Sequence, residues 1–288
     1  AAMPEMDGVR IAPGGRYVAG KVYSNGMYHL MIVDLENIGK ARPVIASPEK
    51  QEVNWLRWKR DDRLLVSLYF PARRWGTPVM ETRLYGINQD GSGLKLLAGA
   101  RKRDRYPIQL GDRVVSFLPE DPQHVLMAFN PQDPRFPRLY RINVDNDRRT
   151  TIERGSAEIF WWAVDREGTP RIGGGMNDTQ LTEQRYFKNL QTGAWELVHD
   201  SPIEEAPVFD PVLFDPDDPD LVYVRSNHAS DTIGLYEYRM STRRFGREIF
   251  RHDDVDIGDV SLDPAQTRIE SVSYVTDEAR THWLNPEL

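Results

Sequence analysis

The side chains best suited to chemistry are two adjacent arginines, Arg73 and Arg74, which stand beside Trp75 in the stretch YFPARRWGTPVMETRLY. A guanidinium donates two parallel hydrogen bonds to a carboxylate, so such a pair suits the carboxylate of a peptide. The same stretch also fits a solvated loop that lengthens the connection between two strands. Because of this guanidinium chemistry, we predict Arg73 and Arg74 as the substrate-binding residues of the chain, with the solvated loop as the alternative.

Acidic residues and histidines also cluster along the sequence, but without the spacing of a known metal-binding or catalytic site. The stretch RHDDVDIGD supplies oxygen atoms that suit calcium, yet it lacks the twelve-residue loop with a terminal glutamate. His199 with Asp200, and His228 with Asp231, lack an identifiable serine partner. We expect solvated turns and strand ends here, with no catalytic residue, no metal and no cofactor.

Composition narrows the class of protein. The 288 residues are 40% hydrophobic, carry a formal net charge of −7 and include no cysteine. The acidic balance argues against a nucleic-acid partner, and no stretch approaches the roughly 18 apolar residues that cross a bilayer. Without cysteine there are no disulfides, no thiol catalysis and no cysteine-based zinc sites. We expect neither nucleic acid nor a membrane as a partner.

The first residues, AAMPEMDG, show no charged segment followed by an apolar one, so we expect no signal peptide in this stretch. Their small leading residues fit what remains after signal cleavage, and equally a cloning remnant. We expect a periplasmic or secreted protein, with the cytoplasm as the alternative.

A strand–corner–strand phrase recurs six times, centred on residues spaced by 47, 61, 47, 50 and 47 positions. The corners are made of Gly, Asp and Pro, which supply the backbone angles of tight turns. The six phrases are VRIAPGGRYVAG at Arg16, LRWKRDDRLLVSL at Arg63, SFLPEDPQHVLMAF at His124, WAVDREGTPRIGG at Arg171, LFDPDDPDLVYV at Leu221 and SLDPAQTRIESV at Arg268.

A third strand follows most corners and places tyrosines at equivalent positions, and a shorter fourth strand comes next. The tyrosines are Tyr85, Tyr140, Tyr186 and Tyr236. Four short antiparallel strands in units of this length predict an all-β fold, a β-propeller, in preference to a series of β-sandwiches. We predict one propeller domain over residues 1–288, with blades at 6–50, 51–105, 106–156, 157–206, 207–256 and 257–288, the last incomplete.

Bulky residues on the inner strands should pack blade against blade. We expect Trp55, Trp58, Trp161 and Trp162 to serve this purpose, with a ligand platform as the alternative.

The sixth repeat, ending in THWLNPEL, shows three strands and no fourth. Either the first residues close a six-bladed ring, or the chain is a fragment of a longer protein. We expect the fragment, with an exposed blade edge through which two copies can dimerise.

The phrases VRIAPGGRYVAG, VNWLRWKRDDRLLVSL, LYGINQDGSGLKLL, VVSFLPEDPQHVLM and LYRINVDNDRRT resemble the N-terminal propeller of bacterial prolyl oligopeptidase-family serine peptidases, the dipeptidyl-peptidase and acylaminoacyl-peptidase types. The resemblance covers nearly the whole chain. Ala12 and Gly14 replace the serine and aspartate of the family's usual Ser-Pro-Asp-Gly-Arg phrase.

The resemblance implies a seven-bladed parent propeller, followed by an α/β-hydrolase domain with a Ser-His-Asp triad and a Gly-x-Ser-x-Gly elbow. This chain has no such elbow, since Ser92 lies between glycines in a hairpin turn. Some relatives grip a substrate ammonium with paired glutamates. Glu204 and Glu205 match that pair only as a dipeptide, and we expect a linker there.

The resemblance therefore implies a non-catalytic propeller that gates and selects peptides for a hydrolase domain outside this sequence. The alternative is a free-standing periplasmic propeller that binds a protein or peptide. A propeller enzyme with paired carboxylates, such as a glycosidase, is a third possibility.

Overall fold

The computed structural model describes residues 6–24, 27–38, 42–46, 52–156, 158–177 and 179–284. Residues 1–5, part of the segment that the alternative interpretation uses to close a six-bladed ring, and residues 285–288 at the end of THWLNPEL lie outside this range. The chain divides into two compact units, Ala1–Phe117 with Asp121–Arg154 and Leu118–Glu120 with Gly155–Leu288.

The first unit consists of strands joined by tight turns. They are β1 (Met6–Ile11), β2 (Tyr17–Ser24), β3 (Met27–Asp34), β4 (Arg42–Ala46), β5 (Glu52–Arg60), β6 (Arg63–Arg74), β7 (Thr77–Asn88), β8 (Lys95–Leu97), β9 (Leu110–Gly111), β10 (Val114–Ser116), β11 (His124–Phe129), β12 (Arg138–Asn143) and β13 (Arg149–Arg154).

The second unit is built in the same way. Its strands are β14 (Trp161–Val164), β15 (Pro170–Asn177), β16 (Thr182–Lys188), β17 (Trp195–Pro202), β18 (Asp210–Phe214), β19 (Leu221–Ser226), β20 (Gly234–Arg239), β21 (Arg244–Phe250), β22 (Ile257–Leu262), β23 (Ile269–Val275) and β24 (Ala279–Trp283).

Each unit holds three antiparallel sheets whose strands are hydrogen-bonded in chain order. Five sheets have four such strands, and the sixth, β22–β23–β24, has three among the described residues. The additional strand β9 pairs with β7 in parallel. The predicted all-β propeller of four-stranded antiparallel blades, with its last blade incomplete, is confirmed. In the described part of the chain, no helix has the length and apolar character needed to cross a membrane.

Strand β6 shows why the sheets stack. Leu64, Val66 and Leu68 join the apolar cluster shared with the first sheet, whereas Leu65 joins the cluster shared with the third sheet. Side chains alternate between the two faces of a strand, so an unbroken apolar run is expected where both faces are covered. The sequence RLLVSL is therefore a strand buried on both sides.

The repeated corners hold neighbouring sheets together. The side chain of Arg63 is almost fully buried and donates to the carbonyl oxygen of Val144 at 2.7 Å, to that of Gly93 at 2.8 Å and to Asn88 Oδ1 at 2.8 Å. A Cβ on Gly86 would lie 2.6 Å from the Arg63 guanidinium, so only glycine leaves room for it. The arginine thus ties the second sheet to the third.

The predicted third-strand tyrosines lie at equivalent places. Tyr85, Tyr140, Tyr186 and Tyr236 pair with Val66, Met127, Gly173 and Val224 on the preceding strands. The repeat alignment read from the sequence therefore matches the register of the sheets.

The stretch predicted as a solvated loop is instead a hairpin. Strands β6 and β7 pair continuously from Arg63↔Asn88 to Arg74↔Thr77, so the two-residue turn is Trp75–Gly76. Both turn residues have positive φ, 48° at Trp75 and 84° at Gly76, as hairpin turns that match strand twist require. Trp75 is 94% exposed at the tip.

Candidate functional site

An open pocket of about 660 Å³ lies on the first strands of the three sheets in the first unit. Such a volume is typical of ligand sites. Its lining comes from β1, β5 and the start of β10, and comprises Arg10, Trp55, Leu56, Arg57, Asp112, Arg113, Val114 and Phe117.

Alternate residues of β5 form one wall of the pocket with Phe117, just after β10. The Trp55 ring meets the Phe117 ring edge-on at 5.9 Å between centres, and the guanidinium carbon of Arg57 lies 3.9 Å from the centre of the same ring. An arginine over an aromatic face is held by cation–π attraction. Burial and the nearby charge of Arg10 lower the pKa of Arg57, which is still positively charged at neutral pH.

Asp112 fixes the floor of the pocket by accepting four hydrogen bonds. Its Oδ2 accepts from Ser67 Oγ at 2.7 Å, from Trp55 Nε1 at 3.1 Å and from Asn54 Nδ2 at 3.2 Å, while Oδ1 accepts from the Thr82 hydroxyl. Burial raises the pKa of Asp112, but the bonds from Thr82, Ser67 and Trp55 outweigh it and hold that pKa below its ordinary value. Its negative charge is therefore compensated by neutral donors.

Lys59 lies on the same face of β5 as Trp55 and Arg57. Its ammonium donates to the carbonyl oxygen of Phe117, and burial lowers the pKa of Lys59 to about 8. The β5 face toward Phe117 thus carries two cations in succession, Arg57 and Lys59.

The arrangement suits binding, not bond cleavage. The lining offers three guanidinium groups, two aromatic rings and one carboxylate, but no serine, histidine or lysine that could act as nucleophile or base. Guanidinium groups beside aromatic rings bind carboxylates and other oxyanions.

The predicted site residues lie elsewhere in the first unit. Arg74, near the tip of the hairpin, forms an ion pair with Glu81, and Arg73 donates to the carbonyl oxygen of Gly76 at 3.4 Å. Neither residue lines the pocket. Their role in substrate binding stays a prediction.

Among the described residues of the second unit, a serine and a histidine form a pair that sequence reasoning missed. Ser201 Oγ lies 2.8 Å from His199 Nε2 on β17, because residues two apart on a strand share a face. Among the described residues, Asp200 accepts a hydrogen bond from Gln184 at 3.0 Å and has none with His199, so Asp200 does not orient the ring. The pair is therefore not a triad.

The other weighed clusters have structural partners. Asp253 pairs with Arg251, Asp256 accepts from the backbone N–H of Ile233, and Glu205 lies in a turn closed on Pro202. No group of three or more potential metal ligands occurs within the described ranges.

The tryptophans pack in the core as predicted. Trp58 and Trp162 are buried, at 8% and 6% exposed, and Trp161 is partly buried and packs against the apolar cluster shared by the fourth and fifth sheets. Trp55 packs on Phe117 and also lines the pocket, which combines the expected packing role with the alternative.

The pocket arginines were present in the sequence as a weak signal. Arg10 in VRI, Arg57 in LRW and Arg113 in DRVV each precede an apolar residue on or beside the first strand of a repeat. The signal appears only when the repeats are superposed, and solvated strands show the same pattern.

The fold and the pocket together define a β-propeller module with a cationic, aromatic-walled pocket. No family model matches the chain. A curated relative is dipeptidyl aminopeptidase BIII of Pseudoxanthomonas mexicana, 23% identical over 286 residues. The match covers 96% of this chain and 38% of the relative, so the chain spans well under half the length of that protein.

Solved structures share the fold at low identity. Prolyl oligopeptidase B from Galerina marginata has a TM-score of 0.60 at 10% identity, covering 97% of this chain and 42% of that one. The Pyrococcus horikoshii acylaminoacyl peptidase has a TM-score of 0.50 at 15% identity, covering 98% and 45%. The predicted resemblance to the propeller region of prolyl oligopeptidase-family peptidases is confirmed.

The same fold also occurs in an enzyme with another activity. The oligogalacturonate lyase of Vibrio parahaemolyticus has a TM-score of 0.51 at 15% identity, covering 98% of this chain and 78% of that one. Function must therefore be argued from the site and from the sequence relationship, and not from the fold.

Proposed function

We propose that this chain is the substrate-selecting propeller of a prolyl oligopeptidase-like serine peptidase. In this proposal it admits and orients peptides for an α/β-hydrolase domain of the whole protein. The sequence relationship supports the proposal, because the match to a dipeptidyl aminopeptidase runs over 96% of the chain.

The observation that carries the proposal is the pocket on β1, β5 and β10. Its walls combine cations at Arg10 and Arg57 with the rings of Trp55 and Phe117. A peptide offers the matching chemistry, since it carries carboxylates, carbonyl oxygens and apolar side chains along one chain. The lining provides no nucleophile, so we assign cleavage to the hydrolase domain and selection to this chain.

Peptidase assays on the full reading frame that contains these residues test the proposal. The whole protein should release chromophore from a dipeptide substrate, and a serine-directed reagent should block the release. The 288-residue chain alone should release none. No release by the whole protein, or release that the reagent leaves unchanged, would refute the assignment to a serine peptidase.

Selection by the propeller needs a second comparison. The whole protein should cleave a short peptide and leave the same sequence intact when it lies in a surface loop of a folded protein. Equal cleavage of both substrates would contradict a gating role while leaving the peptidase assignment in place.

A further inference from the structure

We infer that the pocket on β1, β5 and β10 binds a carboxylate of an acidic peptide through Arg10, Arg57 and Arg113. The inference rests on the proposed function in that the ligand is a peptide. It goes further by naming the charge that the ligand carries.

The three pocket arginines line one cavity together and have no acidic partner there. Other arginines of the unit form ion pairs, such as Arg16, Arg60, Arg74, Arg83, Arg141 and Arg149, whereas exposed arginines such as Arg148 have none among the described residues but lie outside the cavity. Among the described residues, no carboxylate lies within ion-pair distance of Arg10, Arg57 or Arg113, whose side chains are exposed in the pocket. Arg10 Nη1 donates to the carbonyl oxygen of Val9 at 2.9 Å, and the remaining donors of the three guanidinium groups are available to a ligand.

The one carboxylate in the lining, Asp112, offsets one of the three positive charges and leaves the lining net positive. Asp112 accepts four hydrogen bonds from neutral groups on β5, β6 and β7, which fix its position and use its oxygen atoms. The bond to Trp55 also orients the indole that forms the wall. Asp112 thus fixes the wall of the pocket and does not pair with the three pocket arginines.

The pocket is arranged in advance for an anion with an apolar neighbour. The ring of Phe117 supports the guanidinium of Arg57, so less side-chain freedom is lost when a carboxylate binds. Trp55 and Phe117 offer an apolar surface beside the cations. The chain's net charge of −7 disfavours a long polyanion such as nucleic acid, which points to a small, locally acidic ligand.

Titration calorimetry on the 288-residue chain tests this inference with three acetylated tripeptides. The probes are Ac-Ala-Ala-Glu-NH₂, its glutamine analogue, and Ac-Ala-Ala-Ala with a free C-terminal carboxylate. The glutamate peptide should bind about tenfold more tightly than the glutamine peptide, since one charge-assisted contact is worth about that factor. The third peptide shows whether an α-carboxylate serves equally well.

The Arg57→Gln and Arg113→Gln variants should each reduce the affinity for the glutamate peptide about tenfold and leave the glutamine peptide unchanged. Arg148→Gln is the matched control, because Arg148 is an exposed arginine of the same unit outside the pocket lining. It should change nothing. Raising the salt concentration should weaken binding of the glutamate peptide only.

The outcomes separate the two proposals. Equal binding of the glutamate and glutamine peptides, or equal binding by wild type and Arg57→Gln, overturns the inference and leaves the proposed function intact. Inorganic phosphate that binds as tightly as the glutamate peptide also overturns it, because the site would then recognise a bare anion. If no peptide binds while the whole protein retains peptidase activity, the inference fails alone.

The effect of the peptide on the unfolding temperature distinguishes a ligand-binding role of Arg57 from a merely structural one. Arg57→Gln removes the repulsion between Arg57 and Arg10 and also the cation–π contact with Phe117, so these opposed effects should leave the unfolding temperature close to that of wild type. The glutamate peptide should raise the unfolding temperature of wild type and not of the variant. A variant that unfolds at a lower temperature and still gains stability from the peptide would overturn the inference.

Discussion

The guanidinium of Arg57 lies over the ring of Phe117 at 3.9 Å, and this contact joins the first strands of the second and third sheets. The backbone carbonyl of the same phenylalanine accepts from Lys59, two residues further along β5. Phe117, the residue that follows β10, therefore contacts two neighbouring cations of β5. Arg57 is exposed in the pocket, and Lys59 is partly buried.

Because the ammonium of Lys59 is partly buried, the free energy of unfolding should depend on pH in the alkaline range. The pKa of Lys59 is about 8 in the folded chain and 10.5 as its ordinary value, because burial disfavours the charged form. Between these values the unfolded chain binds a proton that the folded chain does not, so this residue makes stability rise with pH from 8 to 10.5. Lys59→Met should remove this rise, measured by urea unfolding across the range. Lys102→Met, at an exposed lysine, should retain it; a wild-type curve no steeper than that of Lys59→Met would contradict the prediction.

The carboxylate of Asp112 predicts a loss of stability in acid. Its folded pKa lies below the ordinary 3.8, so its contribution is complete above that value and is lost as the pH falls through the folded pKa. Asp112→Asn should lower the free energy of unfolding at neutral pH by about 1–3 kcal/mol, since an amide cannot accept all four bonds. The difference from wild type should shrink in acid. A constant difference from neutral pH to pH 2 would count against this account.

Among the corner residues, Arg63, with its buried guanidinium, should cause the largest loss of stability when it is substituted. Arg63→Ala leaves carbonyl oxygens of Val144 and Gly93 without a donor and should cost about 3 kcal/mol or more. Arg63→Lys should restore only part of the lost stability, because one ammonium does not reach both carbonyl oxygens. Hydrogen exchange of β6 and β12 amides measures the effect, with Arg148→Ala as the exposed control. Protection equal to wild type in Arg63→Ala would disprove the role.

The turn at Trp75 should be strained. A bulky residue with φ of 48° is unfavourable, whereas asparagine tolerates this conformation. Trp75→Asn should stabilise the hairpin by about 1 kcal/mol, seen as slower hydrogen exchange near the tip. Trp75→Phe keeps the strain and should show no gain. Faster exchange in the asparagine variant would contradict the prediction.

The edge strand β24 should allow two copies to associate. All five of its side chains are exposed, and within the described residues it pairs only with β23. An unprotected edge is a template for another strand. Light scattering of the 288-residue chain should show dimers that grow with concentration, and Thr281→Pro should abolish them. A monomer at every concentration would rule out this contact.

The corners and third strands were predictable because turn formers and tyrosines recur in the same order in each repeat, at similar though unequal spacings along the sequence. The hairpin beyond Phe70 was not, since Pro71 and Pro78 read as breaks in a strand. Here they pair with Met80 and Arg73 near the end of the ribbon, where a strand tolerates a missing N–H. The pocket was also hidden, because Arg10, Arg57 and Arg113 meet only when three separate repeats fold together.

The donors of Arg63 go mainly to main-chain oxygens, and this has a consequence for evolution. A carbonyl oxygen is present whatever side chain its residue carries, so these bonds do not themselves specify the side chains at positions 93 and 144. Those side chains are restricted instead by the positive φ of Gly93 and by the burial of Val144. The arginine, in contrast, is specified by the bonds themselves. It should therefore persist as a landmark by which blades of far-diverged relatives can be aligned.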